Sequence, residues 1–183
     1  MKKIYKVLFG LLTISSMFLF SHCDFQDDVY VNLDMDTELN AFGAGDSVNT
    51  SSDFCLDNFD DYSDNVENLE SIQYLSAAFF TTEESNGLNG NLTFRLYQGD
   101  GTTLLCEVNV PDFNADDYLN KPLPFDLTDE EINNINEYLA NYKENQCFKA
   151  ELIVTNVSDN DGLYFQLNGR VDFLARLKVS SII

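Results

Sequence analysis

Val29, Val31, Leu33 and Met35 alternate with Tyr30, Asn32, Asp34 and Asp36. A period of two marks a strand with one face against a core and the other in water. A Gly-, Ser- and Asn-rich stretch at 42–52 reads as a turn, followed by a short apolar piece, Phe54-Cys55-Leu56. Residues 57–70 are acidic without clear periodicity and read as loop or a short helical turn. Ile72 to Thr81 is apolar on both sides, as a strand buried on both faces would be. Asn86-Gly87 and Asn89-Gly90 supply turn residues ahead of Leu92, Phe94 and Leu96, which alternate with Thr93, Arg95 and Tyr97. Gly99-Asp100-Gly101 then turns the chain into Leu104, Cys106, Val108 and Val110. These three segments are expected to form an antiparallel meander.

One segment changes period. Thr128 and Glu131 have the spacing of a capping box, and Leu127 with Ile132 fits the hydrophobic staple beside it. Pro122 and Pro124 keep the approach non-helical. Ile132, Ile135, Leu139 and Tyr142 recur at helical spacing, which predicts a crossover helix over about 128–142 with one narrow apolar face. Alternation resumes with Phe148, Ala150, Leu152 and Val154. After a turn at 158–162 it continues through Phe165, Leu167, Val171, Phe173, Ala175, Leu177 and Val179, a long final hairpin. Gly169 sits in that series as a bend or bulge. The fold class expected is a mainly β, antiparallel β-sandwich of about seven strands over 29–180, with one crossover helix.

Ahead of the first strand the pattern differs. Lys2, Lys3 and Lys6 precede an apolar run from Val7 to Phe20, which ends in Ser21-His22-Cys23 before Asp24. The run is shorter than the ~20 residues a membrane-spanning helix needs. Residues 1–22 resemble a bacterial lipoprotein signal, which implies acylation of Cys23, an acidic tether over 23–28 and a membrane partner held through the lipid. Phe20 and His22 depart from the Leu and small residue usual at those places, while Ser21 fits. The alternative is cleavage after Cys23, with Ser21 and Cys23 as the small residues, which gives a secreted protein. Gln26-Asp27-Asp28 resembles the acidic export signal of surface lipoproteins of Bacteroidota-type bacteria; it also suits a solvated spacer. The expected location is the outer membrane, with surface exposure as an option.

Charge narrows the partners. The chain of 183 residues carries 31 acids against ten basic residues, a net −21, and between Asp24 and Phe94 it has sixteen Asp and Glu with no Lys or Arg. The leader holds three of the basic residues and no acid, so removing it leaves −24. Such a field repels phosphates, and nucleic acid is excluded as a partner. The only histidine, His22, lies in the leader. Ser-His and Cys-His nucleophiles and His-ligated metals are therefore absent from the mature chain, which favours a non-enzyme without cofactor.

The remaining candidates are few. Cys55, Cys106 and Cys147 are an odd set for an oxidising compartment, and one disulfide with one free thiol is the simplest outcome. Cys106–Cys147 is the pair expected, because their segments flank the helix; the other pairings stay open. Asp57, Asp60, Asp61 and Asp64 are calcium candidates by residue type, although their spacing is not that of the calcium loop and suits a solvated acidic loop equally. Tyr62, Tyr74, Tyr97, Tyr118, Tyr138, Tyr142 and Tyr164 could include sugar-stacking platforms or simply pack strands and helix.

The mature layout of lipidated cysteine, acidic linker, Thr128-Asp129-Glu130-Glu131 and Tyr164–Lys178 resembles small Bacteroidota-type outer-membrane lipoproteins with an immunoglobulin-like or late-embryogenesis-abundant type 2-like β-sandwich. That resemblance implies fold and location and brings no activity. The leading expectation is a non-catalytic envelope lipoprotein that binds or assembles with an envelope protein or glycan. A glycan- or calcium-dependent adhesion module is the alternative, and a carboxylate-based hydrolase the third.

Overall fold

The computed structural model describes residues 28–83, 88–158 and 165–180. The leader, Cys23, most of the tether, the Asn86-Gly87 turn, the 159–164 turn and Tyr164 lie outside the described residues. Eight strands form: β1 (Val29–Gly43), β2 (Ser47–Cys55), β3 (Leu69–Thr81), β4 (Asn89–Gln98), β5 (Leu104–Asn114), β6 (Leu123–Pro124), β7 (Cys147–Ser158) and β8 (Phe165–Val179). Sheet I runs β1-β8-β3-β6 and sheet II runs β2-β7-β4-β5, all antiparallel. The molecule is the antiparallel β-sandwich that the alternation predicts.

Its connectivity is not the one expected. Each odd-numbered strand is followed by a strand of the other sheet, so β3 with β4 and β5 is no meander, and β7 with β8 is no hairpin. Only β4 and β5 are sequential neighbours in one sheet. The order β1-β8-β3-β6 over β2-β7-β4-β5 is the double Greek key of a jelly roll. An immunoglobulin-like sandwich would place its first two strands side by side. Alternation fixes which face of a strand is buried, and both sheets bury the same kind of face, so the pattern carries no information about which sheet a strand joins.

The core lies between the sheets and is mainly aromatic. Phe54 stacks on Phe148 and Phe173, and Phe94 stacks on Phe125, with ring centroids 5.3, 5.2 and 4.6 Å apart. Gly169 stays in unbroken register with Leu39, so it is not a bulge. A Cβ there would meet the Phe79 ring at 2.6 Å, and the position is glycine because that ring fills the space. β2 replaces most of the turn expected at 42–52. Its inward positions are Val48, Thr50, Ser52 and Phe54, and Ser52 accepts a hydrogen bond from the Thr37 hydroxyl across the sandwich at 2.8 Å. Two hydroxyl residues in the middle of the inner face hide the strand from a hydrophobic reading.

The acidic β2–β3 connection carries one short helix, α1 (Asp60–Ser63). The helix α2 (Asp129–Ala140) begins with the predicted capping box, in which the Glu131 carboxylate accepts from the Thr128 N–H at 2.9 Å. It buries Ile135, Tyr138 and Leu139, with Tyr142 just beyond. The helix also satisfies the edges of both sheets: Asn136 Oδ1 accepts the Tyr74 N–H of β3 at 2.8 Å, and Glu131 Oε1 accepts the Glu107 N–H of β5 at 2.9 Å. Higher on β5, Pro111 has no N–H to offer, so the edge stays closed to a further strand.

The strand directions give the domain two unlike ends. Gly43 and Ser47, Thr81 and Asn89, Asn114 and Leu123, and Ser158 and Phe165, the ends of successive strands, gather at the upper end. Residue 28, Ser180, the acidic connection, α2 and the disulfide gather at the lower end. With 15 residues, β1 spans about 50 Å between them.

Candidate functional site

The disulfide joins Cys55 to Cys147, not Cys106 to Cys147. Cys55 closes β2 and Cys147 opens β7 directly opposite, in register. Cys106 sits on β5, with β4 between it and β7, which puts it about 10 Å from a β7 partner and beyond bridging reach. It is a buried free thiol, and burial with the nearby Glu131 carboxylate pushes its pKa up to about 12, so it is no nucleophile at neutral pH.

Sheet II turns a connected polar surface outward. Arg95 Nε lies 2.7 Å from Glu107 Oε2 and its Nη1 lies 3.7 Å from Glu151 Oε2. Tyr97 donates to Glu151 at 3.2 Å, Asn49 donates to the same carboxylate at 3.4 Å, and Asn109 joins Thr93 to Glu107. Hydrogen bonding from Arg95 holds the Glu107 carboxyl below its ordinary range. Burial, then the charge of Glu151, raises the Tyr97 phenol. These groups satisfy each other across all four strands apart from the solvent they face.

Above that network the ladder breaks on both sides of Gly90. β5 carries one extra residue between Val110 and Phe113, β7 one between Thr155 and Ser158, and Asp112 and Asn156 take left-handed φ of 52° and 54°. Asn and Asp tolerate that region best, and bulges of this kind bend a strand and re-aim its side chains. Gly90 has no room for a side chain, since a Cβ would stand 2.5 Å from the Thr155 carbonyl oxygen. The result is a hollow of about 500 Å³ at the upper end, lined by Asn89, Gly90, Asn91, Asp112, Asn156 and Ser158 over Phe113. The Asn91 side chain accepts from the Asp112 N–H at 3.2 Å, which ties one rim to the next strand. Amides, a hydroxyl and one carboxylate can donate to and accept from an uncharged polar ligand; no cysteine, histidine or lysine is among them.

A second depression of about 310 Å³ lies on the outer face of sheet I, between Asp34, Asp36, Ser76, Ala78 and Asp172. Asp172 is held by Arg170 in a two-pronged ion pair of 2.6 and 2.9 Å, and Arg170 lies 5.5 Å from the Phe80 ring centre. The small side chains Ser76 and Ala78 make the depression.

The calcium candidates are not brought together. Asp57 lies in the 3-10 turn Leu56–Asn58, while Asp60, Asp61 and Asp64 belong to α1 and its C-cap. Among the described residues no three acidic, cysteine or histidine side chains are placed to share a metal. Among the described residues the candidate tyrosines form no platform: Tyr62, Tyr74, Tyr138 and Tyr142 are buried, Tyr97 and Tyr118 half-buried. The hollow residues had no signal of their own in the sequence. Asn89-Gly90 reads as a turn and is in fact the first pair of β4, and Pro111-Asp112 lies past the last alternating residue of β5.

No family model matches the chain, and no curated protein matches it. Among solved structures it is similar to one from turnip yellow mosaic virus, at 9% identity and a TM-score of 0.45, over 86% of this chain and 84% of that one. A structure from tobacco necrosis virus is similar at 8% identity and a TM-score of 0.41, over 85% and 98% of the two chains. One from desmodium yellow mottle tymovirus is similar at 7% identity and a TM-score of 0.36, over 85% and 90%. Likeness at this level says nothing about what the chain does. Among the described residues no helix is long and apolar enough to cross a membrane.

Proposed function

We propose that the chain is a non-catalytic lipoprotein of the cell envelope, tethered at the outer membrane through Cys23, and that it binds a partner with the upper end of its sandwich. The observation that carries this reading is the placement of the amide-lined hollow at the end opposite residue 28. A tether that enters at the lower end presents the upper strand ends and the hollow about 50 Å further out, where a second molecule meets them first. A glycan is the ligand that the lining favours, since amide and hydroxyl groups match an uncharged polyol. An envelope protein that offers backbone amides fits the same chemistry.

Cys23→Ser tests the anchor. The variant is expected in the soluble fraction and the parent in the membrane fraction, because two or three acyl chains hold a protein that one holds only marginally. Equal membrane retention of both removes the assignment. Asn91→Ala combined with Asn156→Gly tests the hollow: glycan-array or envelope-capture signals seen with the parent should drop about tenfold, as two lost hydrogen bonds predict. Unchanged signals place the binding surface elsewhere.

A further inference from the structure

Four large hydrophobic side chains are exposed among the described residues: Val29 at 43%, Tyr30 at 58%, Phe42 at 73% and Leu104 at 45%. Two of them are adjacent and open β1 at the lower end. Cys23 lies six residues before Val29, so an extended tether holds that corner within about 20 Å of the acyl attachment.

The outer face of sheet I carries charge in rows, with Arg170 opposite Glu38 in its upper half. Across the three long strands the lowest rows of its outer face read Tyr30–Lys178–Ser71 and Asn32–Arg176–Gln73. The next rows hold Asp34 opposite Leu174 and Asp36 opposite Asp172. Lys178 is neutralised between Asp28 and Glu70, each 3.0 Å from its ammonium, and these two partners hold its pKa above the ordinary lysine value. Arg176 has no ion-pair partner among the described residues and stands 5.9 Å from the centre of the Tyr30 ring. An exposed tyrosine with an arginine against it is a pair that settles at a membrane interface, with the apolar body inward and the polar tip in the headgroups; Val29, the next residue, is exposed at the same strand end but on its other face.

We propose that this corner, formed by Val29, Tyr30 and Arg176, rests in the headgroup layer of the bilayer that holds the acyl chains of Cys23. The proposal depends on reading the chain as a lipoprotein. So small a patch would not bring a free domain to a membrane. Behind a six-residue tether the contact is intramolecular, and its effective concentration is in the millimolar range, which is enough to set orientation. The β2–β3 connection with Asp57, Asp60, Asp61 and Asp64 shares the lower end and is repelled by anionic lipid. The surface that fits is therefore zwitterionic, and the domain leans toward sheet I. In that pose the hollow on sheet II stays clear of the bilayer.

The chain has no Trp, so Tyr30→Trp supplies a sole indole reporter. The lipidated mature protein is placed in phosphatidylcholine vesicles, with and without lipid brominated near the top of the acyl chains. Trp at position 30 is expected to emit at shorter wavelength on vesicles and to lose roughly half its intensity to the brominated lipid. Phe42→Trp, at the opposite end, is expected to do neither, and Val29→Trp gives a second reporter at the corner. Adding Arg176→Glu to Tyr30→Trp should cut the quenching about twofold or more. A protein that stays with the vesicles while its Trp at 30 and 29 is as unquenched as that at 42 overturns the orientation and leaves the anchor standing. A protein that does not stay with the vesicles overturns the anchor and the orientation together.

Discussion

The ring closed by Cys55 and Cys147 has ends 92 residues apart, so the bond removes much freedom from the unfolded chain, about 4–5 kcal/mol on the chain-entropy model. Cys55→Ala with Cys147→Ala is expected to lower the unfolding free energy by about 2–5 kcal/mol in denaturant titrations. Cys106→Ala should leave the Cys55–Cys147 peptide intact in mass mapping, and its loss there would show that Cys106 takes part. Gly90 is the other single residue on which geometry depends. Thr155 oxygen at 2.5 Å and Val154 Cγ1 at 2.7 Å from a Cβ mean that the backbone of β7 must move as well as the Val154 side chain. Gly90→Ala should cost about 1–3 kcal/mol and disturb the hollow, detectable as changed amide shifts at Asn156 and Asp112. A neutral substitution would mean that the two bulges are softer than their geometry implies.

At the scale of elements, Glu131 ties α2 to itself and to β5. Burial acts to raise its pKa, but the N–H groups of Glu107 and Thr128 and the Thr128 hydroxyl outweigh it, and the net direction is down. A carboxylate lowered in the folded state stabilises fully above its unfolded value of about 4.3, and the contribution is lost as pH falls through the folded value. Glu131→Gln should therefore cost about 1–2 kcal/mol at pH 7, with the gap to the parent closing as pH drops toward 3. A constant gap would mean that the carboxylate charge plays no part. This cap was legible in the sequence because Thr128 and Glu131 are local partners. Strands β1, β4, β7 and β8 were legible too, since their burial alternates with the residues. β2 was not, because Thr50 and Ser52 occupy its inner face. Sheet membership and the Cys55–Cys147 bond depend on contacts between distant segments, which a period of two does not record. The hollow depends on two bulges whose residues, Asp112 and Asn156, look like ordinary loop residues in a string.

For the whole molecule, charge is the dominant variable. Residues 23–183 carry −24, and their basic residues are spent mostly on sheet surfaces, where Arg95, Arg170 and Lys178 are already paired. The acids of the β2–β3 connection have no such partners among the described ion pairs, so self-repulsion there opposes the compact state. Raising monovalent salt from 0.01 to 0.1 M shortens the screening length from about 30 to about 10 Å, and the melting temperature should rise with it. Calcium separates screening from binding. At matched ionic strength a true site would add stability by mass action in millimolar calcium, whereas screening adds none. Asp57, Asp60, Asp61 and Asp64 are spread over a 3-10 turn and α1, so the two salts are expected to give the same melting curve. A calcium-specific rise of several degrees, abolished by Asp60→Asn with Asp64→Asn, would show that the ion itself draws these side chains together.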